Sequence, residues 1–302
     1  MNNISTYKNL ILLHVVVLIF GFTGVLGKLI TVPSELLVWH RMLIASISIG
    51  LYLAIKGSSF KMVRKGLLAT IFTGFIIAAH WIFFFESIKQ SNVSITLAAL
   101  ASASIFTALL EPLFFKRKVQ IYELFLGGLV ILGLYFIFQF ETENAIGVIL
   151  GIIAAFLASL FTVINGKLIK KYNSGRISFY ELGGGVLAIT LYFLFSGKID
   201  AIHFNLGLTN WIYLLILAVI CTAFAFVASV EVMKELTPFT VSLSINLEPI
   251  YGIILAFIFF GEEEKMSAGF YLGTALILAS IFTNVIVKRR QRRKAKRAAE
   301  QT

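Results

Sequence analysis

Gly27-Lys28-Leu29-Ile30 and Gly166-Lys167-Leu168-Ile169 are one tetrapeptide written twice, 139 positions apart, each closing a long apolar stretch. Further along the chain the shift settles at 145. At that shift Glu86 and Lys89 match Glu231 and Lys234, Ile105 matches Ile250, Phe114-Phe115 matches Phe259-Phe260, and Gly128 matches Gly273. One six-residue insertion between the blocks reconciles the two shifts. Two blocks in the same order mark a duplication, and they divide the chain into a first half (1–143), a second half (144–287) and a basic tail (288–302).

What was duplicated is a set of membrane spans. Of 302 residues 59% are apolar and 14% charged, with a mean hydropathy of +0.92, more apolar surface than one soluble core hides. A helix crosses a hydrocarbon core of about 30 Å with roughly 20 apolar residues. Such stretches fall at 9–30, 34–55, 67–88, 92–115, 119–140, 145–166, 177–197, 209–231, 238–260 and 266–287. The fold expected is therefore an all-α membrane protein of ten transmembrane helices. Five crossings per half oblige the second copy to start from the opposite face, so the repeats are expected to be inverted around a central cavity. No small-residue cleavage pattern follows the first stretch, which reads as a retained helix.

Orientation follows from the loops, because Lys and Arg resist translocation. All but five of the 26 basic residues fall on one side, including Lys56 to Lys65, Lys116 to Lys118, Lys167 to Arg176 and the run from Lys288 to Arg297. Lys28, Lys89, Lys198 and Lys265 lie on the other side with Glu262-Glu263-Glu264, and Arg41 lies inside a span. The expectation is an integral protein of a bacterial cytoplasmic membrane with both termini inside. The terminal basic run reads as an anchor on that side, with contacts to anionic membrane lipids as an addition.

Several chemistries are disfavoured. Cys221 is the only cysteine, so no internal disulfide can form, and neither thiols nor histidines cluster as a metal site needs. No cofactor is expected. The net charge of +11 is spread between apolar segments and the tail, which argues against a nucleic-acid face. No Gly-rich loop ending in Lys-Ser or Lys-Thr is present for ATP. No triad or acid pair of recognisable spacing announces an intramembrane enzyme.

The chemistry is then sought among polar residues inside spans, where each ionisable group costs several kcal/mol unless paired or hydrated. His14 shares a face of the first span with Gly21 and Lys28, as a proton acceptor or as part of a helix contact. Arg41 lies seven residues into the second span, free to snorkel outward or to act inside. A shift of 140 superimposes Arg41 on Glu181 and Tyr52 on Tyr192, which suggests matched polar groups at two gates. His80, Trp81 and Phe84 form a stripe at mid-span, His80 being a proton site or a hydrogen-bonded packing residue. In the ninth span Glu248 and Tyr251 share a stripe with Thr240 and Ser244, with Asn246 alongside. Pro249 kinks that helix by removing a donor. Trp39, Trp81, Phe84 and Tyr251 are the aromatic candidates for a cavity wall.

Read in order, Ala223-Phe224-Ala225-Phe226, Glu231-Val232-Met233-Lys234, Leu247-Glu248-Pro249-Ile250-Tyr251, Phe260-Gly261-Glu262 and Gly273-Thr274-Ala275-Leu276 resemble helices eight to ten of the EamA type of the drug/metabolite transporter superfamily. Phe20-Gly21, Lys28 and Arg41 are similar to the family's opening pattern. The first half departs at helix four, where Ser104 stands for Pro249 and Lys116-Arg117 for Gly261-Glu262, so the two gates need not be equivalent. The resemblance implies a secondary transporter, often an exporter, of amino acids, other metabolites or drugs. The small-molecule substrate would move by alternating access, with proton coupling or uniport and with a monomer or homodimer left open. An intramembrane enzyme or a non-transporting sensor or scaffold is the alternative.

Overall fold

The protein is described from a computed structural model, which defines residues 3–116, 121–245 and 247–299; Asn246 and the segment 117–120 lie outside. Among the described residues every regular element is helical. The first five stretches are α1 (Asn3–Leu29), α2 (Ser34–Ile55), α3 (Arg64–Gln90), the pair α4 (Val93–Leu100) and α5 (Ala103–Phe115), and α6 (Ile121–Phe140). The rest are α7 (Ala145–Leu168), α8 (Ser174–Phe195), α9 (Leu208–Ala218) running on into α10 (Ala225–Glu231), the pair α11 (Pro238–Ile245) and α12 (Glu248–Phe260), and α13 (Ala268–Ala299). Seven described stretches are long and apolar enough to cross a membrane, and Phe125–Phe140 and Ala268–Ser280 are shorter apolar helices. α13 does not stop at the bilayer edge expected near 287 but carries the basic run as helix to Ala299.

The outer wall of the bundle is apolar: Ile55, Phe72, Leu113, Phe125, Ile146 and Phe195 are all exposed. Lipid is the solvent that tolerates such a surface, and this is an integral membrane protein.

Helices pack in matched pairs: α1 lies on α12 and α7 on α5, α3 lies on α8 and α2 on α9, and α6 lies on α13. Where α1 crosses α12, Gly21 and Gly252 bring the backbones so close that a Cβ on Gly21 would meet the Gly252 nitrogen at 3.0 Å. Gly133 and Gly273 do the same where α6 crosses α13, each facing the other's carbonyl.

Two helices are broken in mid-course, the ninth stretch, where Pro249 announces a kink, and the fourth, where no proline does. α11 ends at Ile245 and α12 begins at Glu248, ahead of Pro249, which cannot donate to the turn before it. α4 and α5 part at Ala101–Ser102, the same place at a shift of 145, with no proline nearby. There hydroxyls take up the loosened carbonyls: Ser102 Oγ donates to Ala99 O at 2.7 Å, Ser104 Oγ to Ala101 O at 3.1 Å, and Ser159 Oγ of α7 to Ala103 O at 2.7 Å. Serine side chains thus do for one half what proline does for the other.

A third irregularity is a π-helical turn at Val219–Phe224 between α9 and α10. Its Thr222 Oγ1 donates to Leu217 O five residues back at 2.7 Å. Such turns re-aim a side chain within an otherwise regular helix.

Candidate functional site

The two breaks border one cavity of about 900 Å³, counted with its open mouth, and the π turn reaches it through Arg41, which Thr222 holds. Its walls come from α1, α2, α3, α4, α5, α7, α10, α11 and α12. Arg41 stands on it, 1% exposed, with Nε donating to Thr222 Oγ1 at 2.6 Å and the guanidinium 3.9 Å from the centre of the Trp81 ring. The π turn is what delivers Thr222 to that nitrogen. Nη1 of Arg41 has no acceptor. A buried guanidinium resting on an indole face with one corner unbonded is a prepared seat for an anionic or polar group.

Glu248 lines the same cavity, buried, at the first turn of α12. Among the described residues its carboxylate has no hydrogen-bond or ion-pair partner, and it does not pair directly with Arg41. A buried guanidinium and a buried carboxyl therefore face one space and feel each other's field without a direct ion pair between them. His80, also on the wall, donates from Nδ1 to Ala154 O at 2.8 Å, which leaves Nε2 as its acceptor in the neutral ring. Phe84, Phe161 and Phe226 complete an aromatic lining around Trp81 and His80.

Arg41, His80, Trp81, Phe84, Glu248 and Pro249 are thus brought together. Other sequence candidates lie elsewhere. His14 is exposed on α1: α12 covers that face at the level of Gly21, but the packed side at His14 is formed by Leu13, Val16 and Val17. Trp39 is about 200° round the helix from Arg41; it turns away from the cavity, donating from Nε1 to Thr190 Oγ1 at 2.9 Å. Tyr251, about 60° off Glu248 on the wheel, packs its Cβ towards Gly21 instead. Glu181 is wholly buried one step behind the wall, where Asn165 Nδ2 donates to its Oε2 at 3.4 Å. Asn246 and the side chain of Thr240 lie outside the described residues. Sequence reasoning missed Thr23, Thr162, Asn165 and Ser229 on the wall; of these Asn165, an amide inside an apolar helix beside the repeated tetrapeptide, carried a usable signal.

The cavity is not centred between the ends of the bundle. Towards one end it reaches Asn165 and Met233, two residues before Lys167 and one before Lys234. Towards the other it stops below a polar cluster. Lys28 Nζ pairs with Glu264 at 3.0 Å and Glu263 at 3.1 Å. Glu264, 1% exposed, accepts from Ser94 N at 3.0 Å, Ser94 Oγ at 2.7 Å and Val93 N at 3.3 Å, and so closes the N-terminus of α4. Ser34 Oγ donates to Glu86 at 2.8 Å, Lys89 to Val32 O, and Thr31 N to Asn210 at 3.0 Å. At the opposite end Lys167 and Lys170 are exposed and lean on the rings of Phe114 and Phe115.

Residues 8–139 and 145–286 each match the EamA-like transporter family. The chain belongs to that family. An uncharacterized transporter YxxF of Bacillus subtilis is 25% identical over 292 residues, covering 94% of this chain and 90% of that protein. An uncharacterized transporter of Archaeoglobus fulgidus is 26% identical over 217 residues, covering 72% and 75%. One crystal structure overlaps 94% of this EamA-family chain and 99% of its own at a TM-score of 0.70 and 14% identity, a likeness of fold.

Proposed function

We propose that this EamA-family protein is a secondary transporter that moves a small organic solute, outward in its physiological direction, by alternating access. The observation that carries the reading is the cavity itself: Arg41 and Glu248 buried, facing one space and unpaired, with the Lys28 end fastened shut above them. A solute bearing both polar and apolar parts meets the two charges and the ring of Trp81, Phe84 and Phe161 together.

Ten spans and two inverted halves make sense of the packing. Exchanging the halves turns α1 on α12 into α7 on α5, α3 on α8 into α2 on α9, and the break between α4 and α5 into that between α11 and α12. The same operation turns a cavity reached from one end into one reached from the other. Since the basic loops collect at the Lys167 end, that end is cytoplasmic, in a bacterial inner membrane, and the state described faces inward.

The test is counterflow in proteoliposomes with a panel of amino acids, other metabolites and lipophilic cations. Exchange of at least one solute, lost in Arg41→Gln and in Glu248→Gln, is the expected result. A protein that exchanges none of them but hydrolyses one is an enzyme, and the proposal falls.

A further inference from the structure

One buried acid is given no part in holding the solute. Glu181 on α8 is 0% exposed; its Oε2 accepts from Asn165 at 3.4 Å and its Oε1 has no partner. Asn165 Oδ1 and Ser178 Oγ, both in fully buried residues, are also without partners. Glycine closes the surroundings, since a Cβ on Gly74 of α3 would run into the Glu181 carbonyl and one on Gly185 into Met42 of α2. Among the described residues no charged group reaches the carboxyl: Arg176 on α8 donates to Lys61 O, His40 and Arg41 on α2, His80 on α3, Lys167 on α7 and Glu231 on α10 all act elsewhere, and Asp200 lies beyond the far end of α8.

We propose that Glu181 and Asn165 form a proton-binding site of the transporter, separate from the Arg41 and Glu248 that meet the solute. The proposal rests on the transporter reading above. Two buried acceptor oxygens without a donor, Glu181 Oε1 and Asn165 Oδ1, on a carboxylate and the amide that touches it, call for a ligand that brings a hydrogen-bond donor and a positive charge together. A proton brings both. It adds to the carboxylate from water in the cavity, and no other bond changes. The amide of Asn165 suits either form: Nδ2 donates to the carboxylate, and after a flip Oδ1 accepts from the carboxylic acid. Asn165 stands on the cavity wall and touches Glu181 behind it, so a proton has one amide to pass. A sodium ion needs a fuller oxygen shell than these two side chains and one hydroxyl supply.

The test is infrared difference spectroscopy of the reconstituted protein under perfusion, with protons and sodium as the probes. Acidification is expected to produce a protonated-carboxyl C=O band that disappears in Glu181→Gln, shifts in Asn165→Leu and persists in Glu248→Gln. Exchange of KCl for NaCl at constant pH is expected to leave the band unchanged. Loss of the band in Glu248→Gln with retention in Glu181→Gln overturns the proposal, as does displacement of the proton by sodium. In proteoliposomes, Glu181→Gln is expected to keep solute exchange while its flux falls to the level seen without a pH gradient; gradient-driven flux equal to wild type contradicts the site. If wild type exchanges no solute yet shows the band, the transporter reading fails and the proton site stands.

Discussion

The Lys28 end and the Lys167 end begin from the same Gly-Lys-Leu-Ile and finish differently. Lys28 is held by two carboxylates, and one of these, Glu264, also gathers the first donors of α4. Lys167 lies in the open against phenylalanine rings. At a shift of 145, Val119 takes the place of Glu264, Phe239 that of Ser94, and Pro238, which has no N–H, that of Val93. The repeat kept the lysine and a ring beside it, Phe260 by Lys28 and Phe115 by Lys167, and lost the carboxylates and the α4 donors that make it a clasp. On the alternating-access reading proposed above, the two halves would yield two unequal end states, with closure at the Lys28 end the more stable.

The comparison can be broken piece by piece, in a Cys221→Ser background, by the rate at which a cysteine at Thr23 reacts with an impermeant maleimide from the Lys28 side. Glu264→Gln removes the group shared by Lys28 and α4 and is expected to have the largest effect. Losing one partner of a buried charge pair costs about 2–5 kcal/mol, roughly a 30-fold or greater rise in labelling. Lys28→Met leaves the α4 donors capped, so the rise should be smaller, about 1–2 kcal/mol. Ser94→Ala deletes one hydroxyl donor while the Ser94 N–H stays bonded, for about 1 kcal/mol, roughly fivefold. Lys167→Met is expected to change labelling by about two- to threefold, an exposed cation over a ring contributing about 0.5 kcal/mol at the low end of such contacts. Equal effects at Lys28 and Lys167 would remove the asymmetry.

Much of this architecture is legible in the amino-acid sequence. Apolar stretches of crossing length disclose the helices, because they are a pattern along the chain; which helix lies on which is not, since it depends on contacts across the bundle. Arg41, His80 and Glu248 are legible as candidates, since a polar group inside an apolar helix is costly enough to need a reason, and the fold brings them to one cavity with Trp81. The clasp is not. Glu264 reads as one of three loop acids, and only the fold brings it to Ser94, 170 positions away. The break at Ala101–Ser102 is hidden because serine and alanine are ordinary inside an apolar helix, whereas Pro249 announces itself. Trp39 is misassigned to the cavity wall because aromatic character says nothing of direction; its position on the wheel relative to Arg41 does.

The most direct test places a single cysteine at Ser229, on the cavity wall towards the Lys167 end, in the Cys221→Ser background. Impermeant maleimide is applied to either face of oriented vesicles without solute. Labelling from the face that bears Lys167, and little from the face that bears Lys28 until Glu264 is replaced by Gln, is the predicted result. Labelling of the unmodified clasp from the Lys28 face alone would contradict the account.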